Sequence, residues 1–125
     1  MNIIDLGPIP PSIQTYGDGY IIPVAVEEVQ GPSPTPGETM TRYQGYMLKV
    51  PFLTEHEVDK AFASLPPGDY EADRKAALNE AVHQSRKKAY PPVEDYIDGI
   101  VKNDQAQIAA YKAKCLQVKE QFPLF

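Results

Sequence analysis

The sequence predicts an α+β protein: an N-terminal extended arm and β-hairpin followed by a small bundle of about four helices. Three observations lead there. Eight of the thirteen prolines lie at or before Pro51, where they exclude helix and favour extended backbone. Two runs rich in β-branched and aromatic residues sit within that proline-rich half. From Thr54 onward, apolar residues recur at spacings of three and four, the helical period.

The arm covers residues 1–17. Pro8, Pro10 and Pro11 keep it extended, and its apolar side chains Ile3, Ile4, Leu6, Ile9 and Ile13 follow neither helical nor strand periodicity. Such a segment needs a neighbouring surface to cover it. Gly19 to Val29 reads as a strand, with Pro23 arguing for an edge position. Arg42 to Val50, containing Tyr43, Tyr46, Met47 and Leu48, makes the second strand. Between them, Gly31 to Gly37 alternates proline with small residues and predicts a projecting loop. Its prolines also suit a polyproline ligand for an aromatic groove, although a stiff hairpin loop explains them equally well.

Thr54 opens the helical part. Its hydroxyl can cap a helix start and Glu57 can reach back, a capping box that predicts a helix over 55–65. Pro66-Pro67-Gly68 ends it. A second helix over 70–89 carries Ala76, Ala77, Leu78, Ala81, Val82, Ser85 and Ala89 for close packing, with Arg86, Lys87 and Lys88 at its negative end. Pro92 suits the first turn of a third helix, where Glu94, Asp95 and Asp98 favour the positive end. Val93, Tyr96, Ile97, Ile100 and Val101 form its expected buried stripe. After Asn103-Asp104, a last helix over 105–122 places Ile108, Tyr111, Cys115, Val118 and Phe122 on one seam, and Pro123 stops it. This organisation predicts an arm and hairpin interaction region at 1–53 and a helical domain at 54–125.

Charge and composition narrow the function. The chain has 125 residues, 42% of them hydrophobic, enough for one modest core. A net charge of -5 argues against nucleic-acid binding, which requires clustered cations. The acidic excess lies in residues 1–70, and the rest is nearly neutral. No apolar run approaches the roughly 20 residues of a membrane span. The single Cys115 has no internal disulfide partner, and the start lacks a basic, apolar signal, so cytoplasmic synthesis is expected.

No catalytic constellation emerges. His56 and His83 fall on different helices without a second ligand at metal spacing. Glu94, Asp95 and Asp98 lack the glycine-turned loop of a calcium site. Cys115 lies on an apolar seam with no base assigned to it. The expectation is a non-enzyme with no cofactor and no metal. Eight tyrosines and no tryptophan point to contact surfaces, with Tyr16, Tyr20, Tyr43 and Tyr46 gathered in the arm and hairpin. The candidate partner-binding residues are therefore Ile3, Ile4, Leu6, Ile9, Ile13, Tyr16, Tyr20, Tyr43, Tyr46 and the apolar tail Leu124 and Phe125.

Arg86-Lys87-Lys88-Ala89-Tyr90-Pro91-Pro92-Val93-Glu94-Asp95-Tyr96-Ile97-Asp98-Gly99-Ile100, together with Ile108 to Pro123, resembles the C-terminal module of small bacteriophage and prophage tail proteins. In those, a basic helix end meets Tyr-Pro and an acidic amphipathic helix, and a last helix closes on Val-Lys and Pro, here Val118-Lys119 and Pro123. Leu48 to Glu55 is similar to tail-fibre-associated and fibre-assembly proteins. The chain departs from the pattern at Glu94 to Asp98, where the family has a Gly-Asp-Gln-Leu-Asp-like stretch. The resemblance covers about the last third of the chain and leaves out the proline-rich arm. It implies a minor structural component of a phage tail, in the virion at the baseplate or tail-fibre attachment. Its implied partners are other tail proteins (tail fibre, baseplate) and a homo-oligomer of itself, with no membrane insertion. The alternative is a tail-fibre assembly chaperone absent from the mature particle.

Overall fold

A computed structural model describes residues 2–125. Four strands precede four helices: β1 (Ile4–Gly7), β2 (Gln14–Tyr16), β3 (Gly19–Pro32), β4 (Thr39–Val50), α1 (Glu55–Phe62), α2 (Glu71–Ala89), α3 (Val93–Lys102) and α4 (Gln105–Gln121). The α+β class is as the sequence predicts. The strands form one antiparallel sheet in the order β1-β4-β3-β2. Contacts divide the chain into two compact units, one ending at Glu80 and the other spanning Ala81–Phe125. The sequence suggests a division after residue 53; the contacts instead group α1 and the first turns of α2 with the sheet.

In the first unit, β3 and β4 pair from Tyr20↔Val50 to Pro32↔Thr39. Alternation along both strands sends Ile22, Val24, Leu48 and Val50 into the core, where each is at most 3% exposed. Leu53, Val58 of α1, and Ala77 and Leu78 of α2 complete the buried set. Each fully buried aliphatic side chain contributes about 1.5–3 kcal/mol relative to exposure. Arg74 of α2 ties α1 in place, its Nε and Nη2 donating to the Asp59 carboxylate at 2.6 and 3.4 Å.

The chain's own hairpin supplies a neighbouring surface of the kind the arm is expected to need. The arm's two strands take the outer edges of that hairpin: Ile4 pairs with Gly45 and Asp5 with Gln44, while Gln14 pairs with Ile21 and Tyr16 with Gly19. The hairpin strands are long enough to offer ladder partners on both sides, and Pro8, Pro10 and Pro11 fall in the connection between β1 and β2, where no ladder donor is required. Arg42 of β4 fixes β1 by donating from Nε and Nη2 to the Asp5 carboxylate at 3.3 and 2.7 Å.

The strands are also longer than the composition suggests, and the loop is correspondingly shorter. Gly31 and Pro32 pair with Met40 and Thr39, so the turn is confined to 33–38 and closed by the Ser33 N–H donating to the Glu38 carbonyl at 3.3 Å. Pro23 lies beyond the last residue that β2 pairs, at an open edge position of β3 among the described residues.

One irregularity breaks the hairpin ladder. The register passes from Val24↔Tyr46 to Glu27↔Gln44, one extra residue on β3. Ala25 there has φ 53°, a left-handed conformation, and its N–H donates to Asp73 Oδ2 of α2 at 3.0 Å. Opposite the bulge stands Gly45, where a Cβ would lie 2.7 Å from the Val24 carbonyl oxygen and 3.2 Å from Val26 Cα. Only glycine allows that approach.

Thr54 caps α1 as expected, its hydroxyl accepting from the Glu57 N–H at 3.3 Å. The helix ends at Phe62, earlier than 65, because the chain tightens into three-residue turns from Ala61 to Ser64 and Phe62 to Leu65. α2 ends on Arg86, Lys87 and Lys88, a basic helix terminus as the dipole argument requires.

The second unit contains the last turns of α2 with α3 and α4. The α3–α4 turn uses Asn103 in the left-handed region (φ 56°) and Asp104 as a cap accepting from the Gln107 N–H at 3.0 Å. At the helix contact Gly99 is buried, and a Cβ added there would lie 3.1 Å from Ile108 Cγ1. The Tyr96 and Tyr111 rings meet at 5.4 Å between centroids. The Arg86 Nε–H donates to the Phe122 carbonyl at 2.8 Å, holding the end of α4.

Here the structure overturns the expected buried stripe of α3. Val93, Ile97, Ile100 and Val101 are all more than half exposed, and only Tyr96 of that set is half-buried. The reason is Gly99: it admits α4 more closely than any side chain could, so the helix turns its Gly99–Tyr96 flank inward and the aliphatic face outward. Among the expected seam residues of α4, Val118 alone is fully buried.

Candidate interaction surfaces

The candidate contact residues of the arm border two cavities at the opposite edges of the sheet. Ile3 and Ile4 border a cavity of about 450 Å³ with Val29, Pro32 and Arg42. Both are about half exposed, and Ile9, in the connection, is 75% exposed. Leu6 is half-buried. Ile13 lines a second cavity, of about 430 Å³, with Ile22, Val26 and Asp73. Strand pairing thus satisfies the backbone of the arm and leaves several of its aliphatic side chains in solvent.

The tyrosines separate by role. Tyr20 and Tyr43 are half-buried ladder residues, paired with Val50 and Glu28, and Tyr46 sits opposite Val24. Tyr16 is exposed, with Lys49 Nζ 4.6 Å from its ring centroid. Leu124 and Phe125 follow α4 and are half exposed. Within the first unit the candidate arm residues are thus divided between the two edge strands.

A surface that the sequence reading assigned to the core is better formed. At 3.6 residues per turn, Val93, Ile97, Ile100 and Val101 fall on one face of α3. Beside it, between α3 and α4, a cavity of about 380 Å³ is lined by Tyr96, Tyr111, Cys115 and Leu116, with Lys112 and Lys119 at its rim. Leu116 is 61% exposed. Desolvation raises the Tyr111 phenol above its ordinary value, and the neighbouring Cys115 adds to the effect. The signal that could have found this face is Gly99 itself, a glycine amid an otherwise apolar and acidic helix, which marks a close helix contact on its own flank.

The other residues weighed for chemistry are placed as follows. His56 and His83 are exposed on α1 and α2. Glu94 and Asp95 occupy the first turn of α3. Asp98 binds Lys102 Nζ at 2.7 Å and accepts from Gln107 Nε2 at 3.1 Å, and these contacts lower its pKa. Among the described residues no group of three or more His, Cys, Asp or Glu could hold a metal ion, and no helix is long and apolar enough to cross a membrane. Comparisons with protein-family models, with curated proteins and with solved structures give no match.

Proposed function

We propose that this chain is a minor structural component of a phage tail, an adaptor at the baseplate or tail-fibre attachment that acts by protein–protein assembly without catalysis. The observation that carries the reading is a coincidence of position. The segment from Arg86 to Ile100, which resembles the C-terminal module of phage tail proteins, is the one that presents Val93, Ile97 and Ile100 to solvent, with Val101 next to it. An aliphatic helix face of that kind is the usual mark of a contact surface. Mass spectrometry of purified mature particles is the test. Presence of the chain at a fixed ratio to the other tail proteins is expected, and its absence removes the reading.

One observation favours a second reading, a fibre-assembly chaperone that leaves before maturation. The arm's strands pair with the chain's own hairpin, so the arm has a place in the sheet without another protein. This reading expects fibre solubility to depend on co-expression, with no copies in the particle.

A further inference from the structure

The second unit carries a surface whose charges and apolar groups are ordered along one direction. Around α3, moving away from the Asp98 side, come Glu94, then Val101, Ile97, Val93 and Ile100, then Tyr96 at the edge of the cavity. Across the cavity α4 presents Leu116 with Lys112 and Lys119, seven residues and about 10 Å apart along the helix. The surface therefore reads acidic edge, aliphatic face, apolar cavity and basic band, with the exposed Leu116 beyond the lysines on α4. Glu94, Lys112 and Lys119 have no ion-pair partner among the described residues.

Such an order is self-complementary. A two-fold axis through its middle lays the aliphatic face of one copy over the cavity of the other, and sets each Glu94 against the other copy's Lys112 and Lys119. Both exposed apolar elements are covered in one step, and all six charged side chains face an opposite charge, as an isologous contact requires. The cavity of about 380 Å³ has room for aliphatic knobs such as Ile97 and Ile100. A basic partner would leave the two lysines opposed by like charge, and an unrelated acidic partner would leave Glu94 so opposed.

We infer that the α3–α4 face is a homodimer interface, closed by a second copy of this chain through its aliphatic stripe and the Glu94 to Lys112/Lys119 charge pairing. The inference rests on reading the chain as an assembly protein, and names its first partner as itself.

Sedimentation equilibrium of the full-length chain tests it. A dimer is expected. Ile97→Glu places a charge in the apolar centre and should weaken association by about tenfold or more. Glu94→Lys alone, or Lys112→Glu with Lys119→Glu, opposes like charges and should weaken it by about tenfold. The combined variant carrying all three reversals should restore the dimer, and circular dichroism of each variant should stay unchanged. A monomer at roughly 100 µM, far above a micromolar Kd, overturns the inference. So does a dimer indifferent to the single reversals, or a combined variant that stays as weak as its parts. A monomer in solution with the chain present in mature particles would refute the self-contact alone, whereas a dimer absent from particles would refute the tail-component reading alone.

Discussion

The two compact units spend their apolar residues in opposite ways. The first buries Ile22, Val24, Leu48, Val50, Leu53, Val58, Ala77 and Leu78. The second fully buries only Gly99 and Val118, and leaves Val93, Ile97, Ile100, Val101 and Leu116 more than half exposed. A sheet offers a broad face on which helices can close, whereas two short antiparallel helices share one seam and must leave other faces open. The first unit closes a core of its own, and the second leaves its larger aliphatic face in solvent.

Substitutions can break this contrast at its strongest point. Leu78→Ala should cost about 2–5 kcal/mol in urea unfolding, because Leu78 is 1% exposed and its loss leaves a cavity. A cost under 1 kcal/mol would mean that the first core is looser than its burial indicates. Asp73→Ala should follow at about 1–3 kcal/mol, since the Ala25 N–H loses its acceptor. Thr54→Ala should cost about 1 kcal/mol by leaving the first turn of α1 uncapped. Smallest of all, Ile97→Ser should change the unfolding free energy of the isolated monomer by less than about 0.5 kcal/mol, its side chain being 53% exposed. A large effect there would erase the contrast between the units.

Acid sharpens the comparison further. Hydrogen bonds from Arg42 and Arg74 hold the Asp5 and Asp59 carboxyls below the usual carboxylate range. A lowered folded-state value contributes stability above the unfolded pKa, and that contribution is lost as pH falls through the folded one. The protection factors of the β1 amides, corrected for the intrinsic pH dependence of exchange, should therefore fall on acidification through and below the usual carboxylate range. Asp5→Asn should remove that pH dependence at β1 without removing it at the α1–α2 contact.

Much of the first unit could be read in advance because its signals are local. Thr54 with Glu57, the break at Pro66-Pro67, and the β-branched runs each declare their element within a few residues. What escaped depends on distant partners. Nothing near Ile4 announces that it pairs with Gly45, and nothing near Ala25 announces an extra residue held by Asp73. On α3, the aliphatic stripe was legible but its direction was not. Periodicity identifies a face, and only the approach of Ile108 to Gly99 decides which flank turns inward. The contact residues proposed on the arm were legible as apolar, yet their division between opposite edges is a property of the sheet order.

The bulge at Ala25 separates a part of the hairpin that is fixed from a part that is free to vary. On one side, Ile22, Val24, Leu48 and Val50 are locked into the core, and a change in strand length would misplace them. On the other, Val29 to Pro32 and Thr39 to Arg42 form a two-stranded ribbon whose tip turn lies far along the ladder from those residues. Residues added in cross-strand pairs beyond the bulge would advance that turn by about 3.4 Å per pair without disturbing the core register. The ribbon is thus an adjustable spacer, with its zero mark set by the hydrogen bond from Ala25 to Asp73.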